Sequence, residues 1–278
     1  MTCLILQVTF THMVSFPPCK INLGLQIINK RTDGFHNLAT CFYPIPWTDI
    51  LEIIPSHELS LNITGIDIPG DINTNLCLKA YHLLQRDYNI PPVKIHLHKI
   101  IPTGAGLGGG SSDAAHTLRL LNTIFELQLS TQKLFDYAAQ LGSDCAFFIQ
   151  DKPMIGTGRG EVITESSVDL RGKFLILVKP DVHVSTAEAY SGVTPTQPAN
   201  ALTDILSKPV SQWKNLLMND FEFSVFNRHQ IIKQIKEELY SLGAVYACMS
   251  GSGSSVFGIF EKETNYKHNR PYSWSGFL

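Results

Sequence analysis

The chain has 278 residues, too many for a miniprotein stapled by disulfides and enough to bury a full core, which we expect to be divided into two lobes. Charged residues make up 17%, against roughly 25% in ordinary globular chains, and hydrophobic ones 44%, which excludes a disordered or heavily solvated chain. A net charge of −2 gives no overall attraction to a phosphate backbone, so nucleic acid is excluded as an expected partner and only local anion sites remain.

The first fourteen residues are mildly apolar but lack the basic head and small-residue cleavage site of an export signal. No stretch approaches the ~18 uninterrupted apolar residues of a membrane span. The six cysteines, Cys3, Cys19, Cys41, Cys77, Cys145 and Cys248, lie in apolar contexts with no CxxC spacing, so a reducing cytoplasm is the expected location. Lys20 is a lone charge in the apolar, strand-forming segment 16–23. Buried, it needs a carboxylate or phosphate partner; on an edge strand its ammonium can reach water instead.

Leu51 and Ile53, then Leu59, Leu61 and Ile63, alternate with polar neighbours as half-buried strands do. Asn73, Thr74 and Asn75 offer caps to a helix carrying Leu76, Ala80, Leu83 and Leu84 at helical spacing and ending near Asp87. Val93, Ile95 and Leu97 form one face of a strand that Pro102 terminates, with Lys94, His96 and His98 on the other face. No Cys, Asp or Glu stands at zinc-site spacing from the two histidines, which read as solvent-facing, and no structural metal is assigned.

Gly104, Gly106, Gly108, Gly109 and Gly110 then remove side chains between that strand and a helix with Ala114, Ala115, Leu118 and Leu121 on one stripe. A helix start aims free N–H groups at whatever the loop holds, and oligophosphate is the natural occupant. The loop satisfies GxGxxG but lies at mid-chain after a proline-broken strand, which disfavours a dinucleotide site. No Lys-Ser or Lys-Thr follows, so it is not a Walker A loop; Ser111 and Ser112 offer hydroxyls instead.

A helix over 133–141 stops at Gly142, and Ser143 is expected to cap a further helical turn with Asp144 in its first turn. A carboxylate there is stabilised as the anion and can accept a hydroxyl proton, although capping alone is a commoner role. Gly156, Gly158 and Gly160 indicate a tight loop, and the lobes are expected to span 1–155 and 156–278. Strands over 174–178, 244–249 and 256–260 follow, the last two joined by the Gly-Ser loop 250–255. GxSxG is absent, which excludes a hydrolase nucleophile elbow.

Pro18-Cys-Lys-Ile-Asn-Leu23, Pro102-Thr-Gly-Ala-Gly-Leu-Gly-Gly-Gly-Ser-Ser112 and Met249-Ser-Gly-Ser-Gly-Ser-Ser255 are similar, in order and spacing, to the three motifs of the GHMP small-molecule kinases. Arg31-Thr-Asp-Gly-Phe-His36, Leu141-Gly-Ser-Asp-Cys-Ala-Phe-Phe148 and Val184-Ser-Thr-Ala-Glu-Ala-Tyr190 resemble the branch acting on 4-diphosphocytidyl-2-C-methyl-D-erythritol in non-mevalonate isoprenoid synthesis. The resemblance runs from about Phe16 to Phe260 and does not extend past Glu261. It departs at Cys19, where alanine is usual, at Tyr190, where phenylalanine often stands, and at Thr103-Gly-Ala105, where the loop often has more glycine.

The resemblance implies an α+β fold in two lobes, the first with a left-handed βαβ unit like that of ribosomal protein S5 domain 2, the second an antiparallel sheet with helices. It implies phosphoryl transfer from ATP, with Mg²⁺, to the 2-hydroxyl of the cytidine substrate. Lys20 and Asp144 would be the catalytic pair. Asn22, Phe35, His36, Thr186, Tyr190, Gly251 and Ser252 would bind the acceptor, Phe35 and Tyr190 sandwiching the cytosine and His36 hydrogen-bonding it. Asn75 and Leu76 would line the adenine pocket with Lys99 close by, and Pro102, Gly104, Gly106, Leu107, Gly108, Gly109, Gly110, Ser111 and Ser112 would wrap the phosphates. Family members usually begin near Met13, so the first twelve residues are expected to add nothing to activity. Two alternatives stay open: another enzyme of the superfamily without a base pocket, and a non-catalytic nucleotide-binding regulator.

Overall fold

Two long strands organise the molecule. The computed structural model describes residues 13–266 and 270–278, and the expectation for the first twelve residues, Cys3 included, lies outside the described residues. After β1 (Met13–Ser15), β2 (Pro18–Lys30) and β3 (His36–Thr48) form an antiparallel hairpin. Its register shifts near Cys19, Leu25 and Asn29. Such bulges bend the hairpin, and β2 is buried on both faces from Cys19 to Leu25.

The alternating segments become β4 (Ile50–Pro55) and β5 (Ser60–Gly65). Asn75 caps α1 (Leu76–Tyr88), its Oδ1 accepting from the Cys77 N–H at 2.9 Å. β6 (Val93–Lys99) lies antiparallel to β4 and parallel to β5, so β5, α1 and β6 form a βαβ unit in a sheet ordered β1-β4-β6-β5. His96 and His98 both contact the Thr64 hydroxyl on the exposed face of this sheet. α2 (Gly109–Ile124) and α3 (Thr131–Leu141) cover the other face, where Leu51, Ile53, Ile95 and Leu97 meet Tyr81, Leu84, Leu118 and Leu121.

β7 (Met154–Thr157) pairs with β3 and with β8 (Val162–Glu165), completing the sheet β2-β3-β7-β8. Residue 155 therefore falls inside a strand, where ladder hydrogen bonds hold it to the first half of the chain. β9 (Phe174–Lys179) is followed by α4 (Thr186–Ser191), α5 (Leu202–Leu206), α6 (Glu222–Arg228) and α7 (Gln230–Ser241). β10 (Tyr246–Met249), β11 (Val256–Phe260) and β12 (Tyr272–Phe277) join β9 in an antiparallel sheet, β10-β11-β9-β12. Its face bearing Ile176, Val178 and Val256 packs on Ile232, Ile235 and Leu239 of α7. Its other face, Leu175, Leu177, Phe257 and Ile259, shares a core with Ile21, Leu23, Cys41 and Tyr43 of the β2–β3 hairpin.

Candidate active site

Alternation along β2 sends Cys19, Ile21 and Leu23 into the shared core and turns Lys20 and Asn22 toward a cleft. Lys20 is 3% exposed, so its ammonium must be matched within the protein. Nζ donates to Asn22 Oδ1 at 2.6 Å and to the Gly106 carbonyl at 3.0 Å, and lies 3.4 Å from Asp144 Oδ2 and 5.5 Å over the Phe42 ring. Asn22 is itself fixed, Nδ2 donating to Thr40 Oγ1 at 3.0 Å, whose hydroxyl donates to the Gly24 carbonyl.

Asp144 does not sit in the first turn of a capped helix, as the sequence led us to expect. It lies in the turn that leaves α3 at Gly142, ahead of a 3₁₀ helix over Phe147–Ile149 with no side-chain cap. A helix end therefore does not hold its charge; the Lys20 ammonium faces it, and its side chain, 36% exposed, opens to the cleft.

The glycine loop folds around the same lysine. Lys20 N donates to Leu107 O at 2.9 Å, and Ser250 Oγ joins Lys20 Nζ on the Gly106 carbonyl at 2.9 Å. Gly106 has a φ of +76°, and a Cβ there would stand 2.1 Å from the Ser250 carbonyl oxygen. Only glycine lets the two motif loops touch backbone to backbone. Gly108, at φ +70°, caps α2 without a side-chain hydrogen bond, so the free N–H groups of the helix start face the loop.

The cleft has two chambers that meet at Leu76, Thr103 and Gly110. The larger, about 1030 Å³, is lined by Lys20, Asn22, Phe35, His36, Asp144, Thr186, Tyr190, Gly251 and Ser252 together with Pro102, Gly104, Gly106, Gly108, Gly109, Gly110 and Ser111. The smaller, about 470 Å³, holds Asn75, Leu76 and Lys99. Leu107 and Ser112 line neither. Leu107 is buried in the shared core and acts through its carbonyl, and Ser112 is buried with its N–H bonded to Gly108 O and its hydroxyl unpartnered among the described residues.

The Lys99 ammonium, 1% exposed, donates to Asp49 and, at 2.8 Å, to Asp113 Oδ2, so it is neutralised inside the protein. Burial, reinforced by the neighbouring Asp49 charge, pushes the Asp113 carboxyl up to about 7 despite the opposing pull of Lys99. Asp49 Oδ1 also accepts the Ile100 and Ile101 N–H groups at 2.6 and 2.8 Å, fixing the entry to the glycine loop. Neither aspartate was visible as a partner in the sequence, since 50 positions separate Asp49 and 14 separate Asp113 from Lys99.

At the far end of the larger chamber the ring facing Tyr190 is His36, not Phe35: their centroids are 4.9 Å apart with planes at 18°. Phe221 meets Tyr190 edge-on at 4.8 Å. Burial pushes the Tyr190 phenol up, and the nearby Asp144 charge adds to this. Phe35 is 53% exposed, with the Arg159 guanidinium 5.0 Å over its ring. Arg159 and His183, which also line the chamber, carry no local pattern that sequence reading could have found.

The model of the GHMP kinases N terminal domain matches residues 75–152, and that of the GHMP kinases C terminal region matches residues 201–267. The chain is 52% identical over 257 residues to a 4-diphosphocytidyl-2-C-methyl-D-erythritol kinase of Cytophaga hutchinsonii, covering 92% of this chain and 95% of that one. To the kinase of the same name from Parabacteroides distasonis it is 50% identical over 270 residues, covering 96% and 100%. A crystal structure of 4-(cytidine 5'-diphospho)-2C-methyl-D-erythritol kinase superposes with a TM-score of 0.75 at 31% identity, over 89% of this chain and 90% of that one. The mevalonate kinase of Methanococcus jannaschii, at 16% identity and a TM-score of 0.65 over 90% and 91%, shares the fold. With a lysine and an aspartate meeting between a glycine loop and an aromatic pocket, and with this degree of likeness along nearly its whole length, the chain belongs to the 4-diphosphocytidyl-2-C-methyl-D-erythritol kinases of the GHMP kinase family.

Proposed function

We propose that the chain transfers the γ-phosphoryl group of ATP to the 2-hydroxyl of 4-diphosphocytidyl-2-C-methyl-D-erythritol, in the cytoplasm and as a step of non-mevalonate isoprenoid synthesis. The observation that carries this reading is the Lys20–Asp144 contact at 3.4 Å, set between the glycine loop and the His36–Tyr190 stack. Asp144 takes the hydroxyl proton as the oxygen bonds to phosphorus, the bond to the bridging oxygen breaks, and ADP leaves. Lys20 offsets charge on the attacking oxygen, and its three protein contacts hold it ready without reorganisation. The adenine fits the smaller chamber beside Asn75 and Leu76, and the triphosphate lies along the loop toward Ser111.

Beside the phosphate loop the cleft offers a divalent ion the Ser111 hydroxyl and the Asp144 carboxylate among its oxygen donors, and among the described residues no cluster of three His, Cys, Asp or Glu forms a protein cage. That donor set suits Mg²⁺, which keeps waters and binds mainly through substrate phosphates. When bound, the ion neutralises triphosphate charge. Cytosine binds among Phe35, His36 and Tyr190, with the His36 ring turning off the Tyr190 face to admit it. No described helix is long and apolar enough to cross a membrane, and five described cysteines are buried free thiols, as a reducing compartment allows. We also place the division between the lobes after β8 rather than at residue 155, because β8 still belongs to the sheet of the β2–β3 hairpin.

The test is turnover of ATP with 4-diphosphocytidyl-2-C-methyl-D-erythritol, with homoserine and mevalonate as controls. Phosphorylation of the cytidine compound alone is expected; preference for either control would sink the assignment.

A further inference from the structure

Segment 218–222 lies behind the cleft and touches both of its walls. Leu25 N donates to Met218 O and Asp220 N to Leu25 O, both at 2.9 Å, so the segment runs parallel beside β2 at one bridge, Leu25 with Asn219. Asp220 Oδ2 accepts the Ile27 N–H at 2.6 Å. Asn219, 2% exposed, faces the loop 250–255 instead. Its Nδ2 donates to Met249 O and to Gly251 O, each at 2.8 Å, and its Oδ1 accepts the Phe221 N–H at 3.0 Å. Both amide hydrogens are used, one on the last carbonyl of β10 and one on a carbonyl of the loop.

In a trans peptide the carbonyl and the N–H point opposite ways. Holding the Gly251 carbonyl on the Asn219 side therefore turns the Ser252 N–H away from Asn219. Gly251 and Ser252 line the cleft, and the Ser252 N–H has no acceptor among the described residues. Next to this peptide stand Asn22 and Lys20: a Cβ on Gly251 would lie 3.2 Å from Asn22 Oδ1 and 3.5 Å from Lys20 Nζ. On its other side Asn219 sets Phe221, whose ring meets Tyr190.

We propose that Asn219 is a positioning residue that presents the Ser252 N–H to an anionic oxygen of the acceptor substrate and seats Phe221 behind Tyr190, so that one buried amide aligns both ends of the acceptor chamber. This rests on the phosphoryl-transfer reading above and assigns a role within that site to a side chain that does not touch substrate. Asn219 does not line the smaller chamber, so the adenine end of ATP is spared and the larger effect is expected on the acceptor.

The test compares Asn219→Ala and Asn219→Ser with Asp220→Ala, which loosens the same segment from β2 without touching the loop. Opening the clamp is expected to speed amide exchange across 249–255 by about tenfold or more in both Asn219 variants and not in Asp220→Ala. The KM for the cytidine substrate is expected to rise about tenfold, with that for ATP within about threefold of the parent. Unchanged exchange in 249–255, or unaltered KM values with turnover falling only as the folded fraction falls, would overturn the proposal. If Asn219→Ala does not fold, Asn219→Ser, which keeps one donor and one acceptor, carries the comparison. Exchange is read without substrate, so a parent enzyme that fails to phosphorylate the cytidine compound would refute the kinase reading while exchange still decides the role of Asn219.

Discussion

Lys20 and Asp144 sit close enough to act as one unit, and this gives their substitution a distinctive signature. Asp144→Asn keeps the shape but cannot take a proton, so turnover is expected to fall by roughly 10²–10⁴ with both KM values nearly unchanged. Lys20→Met is expected to fall similarly, and the double variant to be little worse than either, since groups acting together lose their effects non-additively. Turnover of Asp144→Asn within about threefold of the parent would end the general-base role. Tyr190→Ala removes the ring that His36 covers and is expected to raise the KM for the cytidine substrate about tenfold while sparing ATP, because an aromatic contact adds ~0.5–1.5 kcal/mol beyond its buried area. Equal weakening for both substrates would place Tyr190 outside the base pocket. Asp113 makes a separate statement about pH. Its carboxyl is raised from 3.8 to about 7 on folding, so between those values the folded protein binds more protons than the unfolded one. Stability from this group is present at low pH and lost as pH rises toward and through 7. The thermal midpoint of the parent is expected to fall between pH 5 and 8 relative to that of Asp113→Asn, which cannot ionise; parallel profiles would disprove it.

Among the elements, the two motif loops depend on each other. Gly106→Ala would drive a Cβ into the Ser250 carbonyl at a φ that alanine resists. Strain of about 1–3 kcal/mol is expected, read as a lower urea midpoint, together with reduced kcat, since Lys20 hangs from the same carbonyl. A variant with parent midpoint and parent kcat would show that the loops are not joined there. Most elements near the site were legible in the sequence because their signals are local: the alternation in β4, β5 and β6, the Asn75 cap, and glycines between a strand and a helix. What sequence reading misjudged depends on distant packing. The turn at Asp144 looked like a capped helix because Ser143 and Asp144 have the right chemistry, yet the chain there turns toward Lys20 on β2. Ser112 looked like a phosphate ligand by adjacency to Ser111, but successive helical residues point to different faces and its side chain enters the core. Asp49, Asn219 and the His36 stack arise only when segments far apart in the chain meet.

Across the whole molecule, the two sheets that flank the cleft are not separate bodies. Ile21, Leu23, Leu175, Leu177, Phe257 and Ile259 are each fully buried in one core, and each such side chain contributes ~1.5–3 kcal/mol when removed from water. The chain is therefore expected to unfold in a single calorimetric transition, with equal calorimetric and van't Hoff enthalpies. Two resolved transitions would show that the lobes are energetically independent.

That shared core also bears on how ligands come and go. Domains that swing apart need a small or polar seam between them, and here the seam is apolar and fully buried. The cleft is therefore a slot of fixed width rather than a jaw. Entry and exit at the acceptor end are expected to depend on its rings, Phe35 exposed under Arg159 and His36 lying on Tyr190, since exposed side chains rotate in picoseconds to nanoseconds and a hinge moves in microseconds to milliseconds. Product release is therefore expected to need no opening of the fold.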